Sequence, residues 1–360
     1  MPSLPLPARS STVVALVTTA ALSIGIHTAP GPSQLPEDAH GGRELTDLVL
    51  EIAGEDHRAL AAAVVTPEGR HTTVIGTDHD SRFEAGSITK GITGLLLADA
   101  IDRGEVTADT RVGTLLDQLE GTPAGEATLA ELATHTSGLP PQIPSRRQYL
   151  LNLWASWTGS FPYPSSTEDR LAEVAELAAD SEPGTYSNVA FEVLGAALGE
   201  VAGQDYPELA RDRVLDPVGL ADAHIPTSPA ELDRRDLLGE DASGRTVVAW
   251  AGESMAPAGG LRIHADDLAV LLSALLDGTA PGMDALEPRG ELGPDRIGWA
   301  WITTETEDGR QVVWHNGHTS GFAAFLGVDR EAGTGVALVS ATGQWVDAAG
   351  WELLARSGEL

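Results

Sequence analysis

Phe83-Glu84-Ala85-Gly86-Ser87-Ile88-Thr89-Lys90 is the stretch on which the reading of this chain turns. Its lysine is the only one among 360 residues; arginine supplies the other 21 of the 22 basic side chains. A composition that favours arginine explains the scarcity of lysine but not its position. Arginine stays protonated in proteins, whereas a buried lysine can lose its proton. A site that needs an amine as proton acceptor cannot make the exchange the rest of the chain has made. Ser87 stands three residues before Lys90, at the head of an apolar helical pattern (Ile88, Ile92, Leu95, Leu96, Ala98, Ile101) that stops near Gly104. Residues three apart share a helical face, so the amine reaches the hydroxyl. A helix this apolar is expected to be buried, and burial lowers a lysine pKa toward that of a working base. The helix N-terminus also offers backbone N–H groups to a developing oxyanion. The competing interpretation is an N-capping serine followed by a solvated lysine.

Working outward, Arg43–Gly54 carries apolar Leu45, Leu48, Val49 and Ile52 at helical spacing. Residues 61–66 and 71–76 flank Pro67-Glu68-Gly69 and predict a hairpin. From about 105 to 290 the pattern is mainly helical, over 128–134, 169–179, 189–202, 206–215 and 265–276, with a long loop expected from Gly138 to Ser166. Short apolar strands are expected at 298–303, 311–314, 322–328 and 335–340, and a closing helix at 346–356. Strands at both ends around a helical middle predict one sheet built from the two termini. No internal repeat is evident.

Two further motifs follow Ser87-x-x-Lys90. Tyr186-Ser187-Asn188 precedes a helix; a phenol can shuttle a proton to a leaving group, and an amide can hold a carbonyl or the lysine. The alternative is a helix-entry turn capped by Asn188. His315-Asn316-Gly317-His318-Thr319-Ser320-Gly321-Phe322 lies between two late strands, where glycines let an edge strand approach a substrate. His315 and His318 make a poor metal pair, because the intervening Gly317 argues against a helix and no third ligand is evident.

In this order and spacing the three motifs resemble those of the penicillin-recognising serine hydrolases, which carry S-x-x-K and K-T-G. Phe83–Lys90, Leu132-Ala-Thr-His-Thr-Ser-Gly-Leu-Pro140, Gln142-Ile-Pro144 and Pro257-Ala-Gly-Gly-Leu261 are similar to the class C β-lactamase branch, which also holds D-alanyl-D-alanine carboxypeptidases, D-aminopeptidases and esterases. The resemblance runs from about residue 45 to 350. It implies an α/β (α+β) fold of the β-lactamase/transpeptidase type, with an antiparallel sheet from residues 41–86 and 295–360. Residues 87–294 would form a mainly helical inserted domain, with the site at the interface. It also implies catalytic Ser87 (nucleophile), Lys90 (base) and Tyr186 (proton donor to the leaving group). Asn188 would position Lys90 and the substrate, Gln142 would line the acyl-amide pocket, and His315, Asn316, Gly317 and His318 would bind substrate. The backbone N–H groups of Ser87 and His318 would form the oxyanion hole. Where the family often has lysine, this chain has His315, and Asn316 replaces the threonine. Histidine supplies the positive charge that holds a substrate carboxylate only when protonated, near pH 6.5 and below. Arg146 and Arg147 are alternative sources of that charge.

The reading is therefore a serine hydrolase, free of cofactor and metal, acting on an amide, lactam or ester carbonyl of a small-molecule or peptide substrate. The alternative is a non-hydrolytic penicillin-binding-like sensor or scaffold. An α/β-hydrolase would need a G-x-S-x-G elbow, and no such pentapeptide occurs. The net charge of −31 argues against nucleic acid as partner, and the absence of cysteine excludes disulfides, thiolate metal sites and cysteine nucleophiles. Arg9 followed by the uncharged run Ser11–Ile26 predicts an export signal, or a membrane tether through residues 11–26, within a segment 1–40 that also contains a linker.

Overall fold

The computed structural model describes residues 31–360 except 32, 37, 159–160 and 162–165. The expected export or tether segment, residues 11–26, lies outside the described residues. Near the N-terminal end come strand β1 (Ala39–Gly41), helix α1 (Arg43–Ala53) and the hairpin β2 (Leu60–Thr66) and β3 (Gly69–Ile75). Leu45, Leu48 and Val49 of α1 are buried, as their spacing on one helical face requires. Strand β4 (Phe83–Glu84) runs through Ala85-Gly86-Ser87 into helix α2 (Ile88–Asp102). Every residue of α2 from Ile88 to Ala100 is buried.

The middle of the chain is helical: α3 (Leu129–Ala133), α4 (Arg146–Thr158), α5 (Thr167–Ala175), α6 (Asn188–Ala202), α7 (Tyr206–Ala210), α8 (Ala256–Gly259) and, after the short strand β5 (Arg262–Ile263), α9 (Ala265–Asp277). Local chemistry sets several ends. Thr128 and Glu131 form a reciprocal capping box at α3. Ser187 caps α6 by accepting from Ala190 N, and Gly203 stops α6 in the left-handed conformation.

Strands β6 (Gly290–Leu292), β7 (Asp295–Ile297), β8 (Ile302–Glu305), β9 (Gln311–His318), β10 (Ala323–Asp329) and β11 (Thr334–Ser340) precede the last helix, α10 (Asp347–Arg356). The sheet order is β1-β3-β2-β11-β10-β9-β8-β7-β6, antiparallel at every step. The N-terminal and C-terminal strands therefore meet at β2 and β11, where Ala62 lies opposite Leu338. Side chains alternate across β2. Leu60, Ala62 and Val64 join the cluster beneath α1 and α10, while Ala61, Ala63 and Val65 face the main core with α2 and α9.

Two local expectations are corrected. The strand expected over 298–303 begins only at Ile302. Gly298 N–H donates to Trp301 O, Ala300 takes φ 71°, and Ala300 N–H donates to Ala133 O, so the segment turns instead of extending. That turn lies on α2, where a Cβ on Gly91 would sit 2.6 Å from the Trp301 ring and one on Gly94 2.0 Å from Trp299 O. The loop expected from Gly138 to Ser166 contains helix α4. Its apolar side chains do not keep to one face, and Tyr149, Leu150, Leu153, Trp154 and Trp157 are exposed, so the helical period is not visible in the sequence.

Candidate active site

Ser87 occupies the N-cap of α2, yet its side chain makes no capping bond. Its Oγ instead accepts a hydrogen bond from Lys90 Nζ at 2.9 Å. Lys90 is 0 % exposed, which disposes of the capping serine with a solvated lysine. A second Nζ hydrogen goes to the carbonyl of Ala258 at 2.7 Å. The rings of Tyr186 and Phe191 lie 5.0 and 5.7 Å from Nζ. Burial lowers the Lys90 pKa to about 7, against a smaller opposing pull from the Glu192 carboxylate. Neutral lysine keeps an N–H for Ala258 and turns its lone pair to the Ser87 hydroxyl.

Tyr186 reaches the same hydroxyl. Burial pushes its phenol above the ordinary range, and a hydrogen bond with Ser87 partly offsets this. His135 holds the tyrosine. Their rings are 4.4 Å apart and tilted by 36°, and His135 Nδ1 accepts from Ser187 N–H at 3.0 Å. His135 itself sits at φ 59°, an uncommon conformation for a residue with a Cβ, and burial keeps its pKa well below the usual histidine value. Ser187 Oγ donates to Pro140 O and Asn188 N–H donates to Pro141 O. The Tyr186–Asn188 turn is thereby fastened to the segment bearing Gln142, whose Oε1 accepts from Asn152 of α4. Asn188 is not the cap, and the two hydrogen bonds of Lys90 do not involve it.

The end of β9 closes the third side. Gln311–Trp314 pair with β8, but residues 315–318 pair only with β10. Their free flank lies against the Ala85–Ser87 turn. Gly86, at φ 52°, would place a Cβ 2.7 Å from His318 N, and Gly317 would place one 2.0 Å from Ala85 O and 3.1 Å from Ser87 N. Two glycines thus let the backbones at Ser87 and His318 lie side by side. The pairing is tied from below. Glu84 accepts from Thr319 Oγ1 at 2.6 Å, from Trp250 N at 2.7 Å and from Arg262 at 2.6 Å. Burial raises the Glu84 carboxyl pKa, and Arg262 opposes the rise.

His315 is fully buried, its ring 6.3 Å from that of Tyr186. Its Nδ1 lies 2.6 Å from Asn316 O. Burial, followed by the charge of Lys90, drives the His315 pKa down to about 3, away from the protonated form that a positive charge at this position would need. Asn316 donates to Asp347 of α10 at 2.5 Å. His318 Nε2–H donates to Gly343 O at 3.2 Å, and its ring stacks on exposed Trp345 at 4.4 Å. His315 and His318 are three residues apart on β9, so their side chains leave opposite faces of the strand. Arg146 is exposed at the start of α4, and among the described residues no arginine bonds Ser87, Tyr186, His315 or Asn316; the Arg147 side chain lies outside the described residues. Sequence reasoning missed the Ala258 carbonyl, Glu84, His135 and Asp347 as parts of the site. Three of them lie in quoted blocks, but Asp347 lies in none.

A nine-stranded antiparallel sheet with a Ser-x-x-Lys helix, a facing tyrosine and a glycine-bearing strand edge defines a class, and the comparisons agree: the chain belongs to the beta-lactamase family, whose profile, described as Beta-lactamase, matches residues 45–359. The D-alanyl-D-alanine-carboxypeptidase/endopeptidase AmpH of Escherichia coli (strain K12) is 26 % identical over 200 residues, covering 54 % of this chain and 49 % of that protein. Penicillin-binding protein 4 of Amycolatopsis lactamdurans is 28 % identical over 254 residues, covering 65 % and 58 %. A beta-lactamase of E. coli (strain K12) is 26 % identical over 275 residues, covering 72 % and 65 %. The chain thus spans about half to two thirds of the length of these curated relatives. The crystal structure of D-alanine carboxypeptidase AmpC from Burkholderia cenocepacia shares the fold, with a TM-score of 0.70 at 21 % identity, over 88 % of this chain and 99 % of that one.

Proposed function

We propose that this protein is a serine hydrolase that cleaves an amide, lactam or ester through an acyl-enzyme on Ser87. The observation that carries the reading is the buried Lys90 amine, 2.9 Å from Ser87 Oγ, with its pKa lowered to about 7. The environments of Lys90 and Tyr186 push the two groups apart: near neutral pH the lysine can accept a proton while the phenol keeps its own. Ser87 Oγ attacks the carbonyl carbon as its proton passes to Lys90. The oxyanion of the tetrahedral intermediate lies against the N–H groups of Ser87 and His318. Tyr186 donates its proton to the leaving nitrogen or oxygen as the scissile bond breaks, and Lys90 restores the tyrosine. Water then adds to the acyl ester by the reverse proton path, freeing the acid and Ser87. Asn188 and Gln142 would contact the acyl side. The names of the relatives, a carboxypeptidase, a penicillin-binding protein and a beta-lactamase, favour D-alanyl peptides or β-lactams as the substrate class; small esters are open to the same acyl-enzyme chemistry. Export is proposed from the 11–26 run alone.

The test is turnover of an activated neutral ester such as p-nitrophenyl acetate. The wild type should give a burst of one nitrophenolate per chain followed by steady release, and Ser87→Ala should give neither. Release by the variant at the wild-type rate would move the chemistry away from Ser87.

A further inference from the structure

A surface helix normally turns its apolar stripe inward, and α4 does the reverse. Gln148 and Ala155 are buried, while Leu150, Leu153, Trp154 and Trp157 are exposed. These four stand at i, i+3, i+4 and i+7 and make one stripe along the outer side; Leu151 and Ala155 lie off it. Tyr149 is exposed beside the stripe, and exposed Arg146 stands one turn before Leu150. The charge of this region is also unlike the rest. Acids make up 53 of the 360 residues, yet none occurs from Leu132 to Thr167. One other stretch of that length lacks acids, residues 1–36, and it contains the uncharged run 11–26. The structure brings the ends of the two stretches together. Ser33 Oγ donates to Glu240 Oε1 at 3.0 Å. The next residue, Asp241, pairs with Arg245 at 2.7 Å, and Arg245 Nη1 donates to Trp157 O at 2.6 Å. From Ile26 to Ser33 the chain can reach at most about 25 Å.

We propose that α4 docks this protein on the surface of a phospholipid bilayer, with Leu150, Leu153, Trp154 and Trp157 among the acyl chains and Arg146 at the lipid phosphates. The inference goes beyond the acyl-enzyme reading and does not depend on it. Tryptophan and tyrosine are the side chains that settle at a bilayer–water interface, and arginine suits phosphate. A helix exposing such a face lies in the plane of the interface; among the described residues no helix is long and apolar enough to cross a membrane. A carboxylate entering the bilayer would have to be desolvated, which accounts for the missing acids. A protein partner can match carboxylates with cations, so it would not require acids to be absent from both stretches. The net charge of −31 acts at long range and is largely screened beyond about 8 Å at physiological ionic strength. Asn152 of α4 donates to Gln142, so the docked face lies about one helix width, roughly 10 Å, from the acyl side of the candidate site.

The test mixes the full chain with phosphatidylcholine vesicles at physiological salt, with and without bromine on the acyl chains, which quenches tryptophan only on contact. Wild-type fluorescence should be quenched by the brominated vesicles. The double variant Trp154→Phe/Trp157→Phe, which keeps exposed Trp345, should still bind the vesicles and lose most of the quenching. In Leu150→Glu both reporters remain, and quenching should fall to the level of the double variant because a charge now lies in the stripe; turnover of p-nitrophenyl acetate should be unchanged. Absence of quenching in the wild type overturns the inference. Equal quenching in the wild type and the double variant overturns it too, by placing the docking elsewhere, such as residues 11–26. Quenching that persists in folded Leu150→Glu does the same. Shielding of Trp154 and Trp157 from acrylamide without lipid would mean that another part of the chain, or a second copy, covers the face, and also overturns it. The comparison of wild type with the conservative double variant keeps the test intact if Leu150→Glu folds poorly.

Discussion

Replacing Lys90 with methionine should make the protein more stable below neutral pH, and the gain should disappear as pH rises. The fall of the Lys90 pKa from 10.5 to about 7 means that folding around a charged lysine costs roughly 5 kcal/mol. The sign follows from proton uptake. Between about pH 7 and 10.5 the unfolded lysine is protonated and the folded one is not, so wild-type stability rises with pH across that window, by about 1.4 kcal/mol per pH unit. Below pH 7 the full cost is present. Methionine has similar length and no charge, but it leaves the Ala258 carbonyl without its donor, a loss of about 1–3 kcal/mol. The variant should therefore be about 2–4 kcal/mol more stable at pH 6.5 and about 1–3 kcal/mol less stable than wild type above about pH 10.5. Urea midpoints followed by tryptophan fluorescence provide the measurement, since the chain has eight tryptophans. Glu192, with its pKa raised to about 7 by burial, titrates mainly below pH 8. The slope of the difference between 8 and 10 therefore belongs to Lys90. Parallel stability curves for the two proteins over that range would refute the claim that folding strips the lysine of its proton.

Turnover should show the same titration. The value of kcat/KM should rise with pH through about 7 as Lys90 becomes a base, then stay level through the alkaline range, because His315 is already neutral and Tyr186 is held protonated. A bell-shaped profile with an alkaline fall near 8 would contradict this. Glu192→Gln removes the carboxylate that raises the Lys90 pKa, so the acid limb should move to lower pH; a shift upward would reverse the assigned sign. Tyr186→Phe should keep the fold and lower the acylation rate by about 10²–10⁴, measured by rapid mixing with a poor leaving group. Glu84→Gln leaves buried Arg262 without its 2.6 Å counter-charge and should cost about 3 kcal/mol in urea unfolding. A midpoint unchanged from wild type would remove Glu84 as the tie between the nucleophile turn and Thr319.

Much of the fold and part of the site were legible because they rest on local rules. The one lysine, the apolar face of α2 and the alternation in the late strands all state their environment in residue type and spacing. The sheet joined at β2 and β11 followed from where the strands lie along the chain. What was not legible belongs to three dimensions. The Ala258 carbonyl has no residue-specific signature, since every residue carries a carbonyl. Asp347 lies 31 residues beyond Asn316 and meets it only because α10 starts beside the end of β9. The lowered pKa of His315 comes from its burial, which residue type alone does not state. Helix α4 has apolar and polar residues on every face, because it is largely exposed and does not pack one stripe into a core. The turn at Trp299–Trp301 reads as a strand in composition; contact with Gly91 and Gly94 of α2 decides otherwise.

The central claim is that Ser87 becomes covalently acylated because Lys90 takes its proton. Intact mass spectrometry of the protein quenched in acid during turnover of p-nitrophenyl acetate, followed by peptide mapping, tests it directly. The account predicts a single added acetyl group on the peptide bearing Ser87, absent in Ser87→Ala and strongly reduced in Lys90→Met. An acetyl group on another residue, or one that forms at the wild-type rate in Lys90→Met, would contradict it.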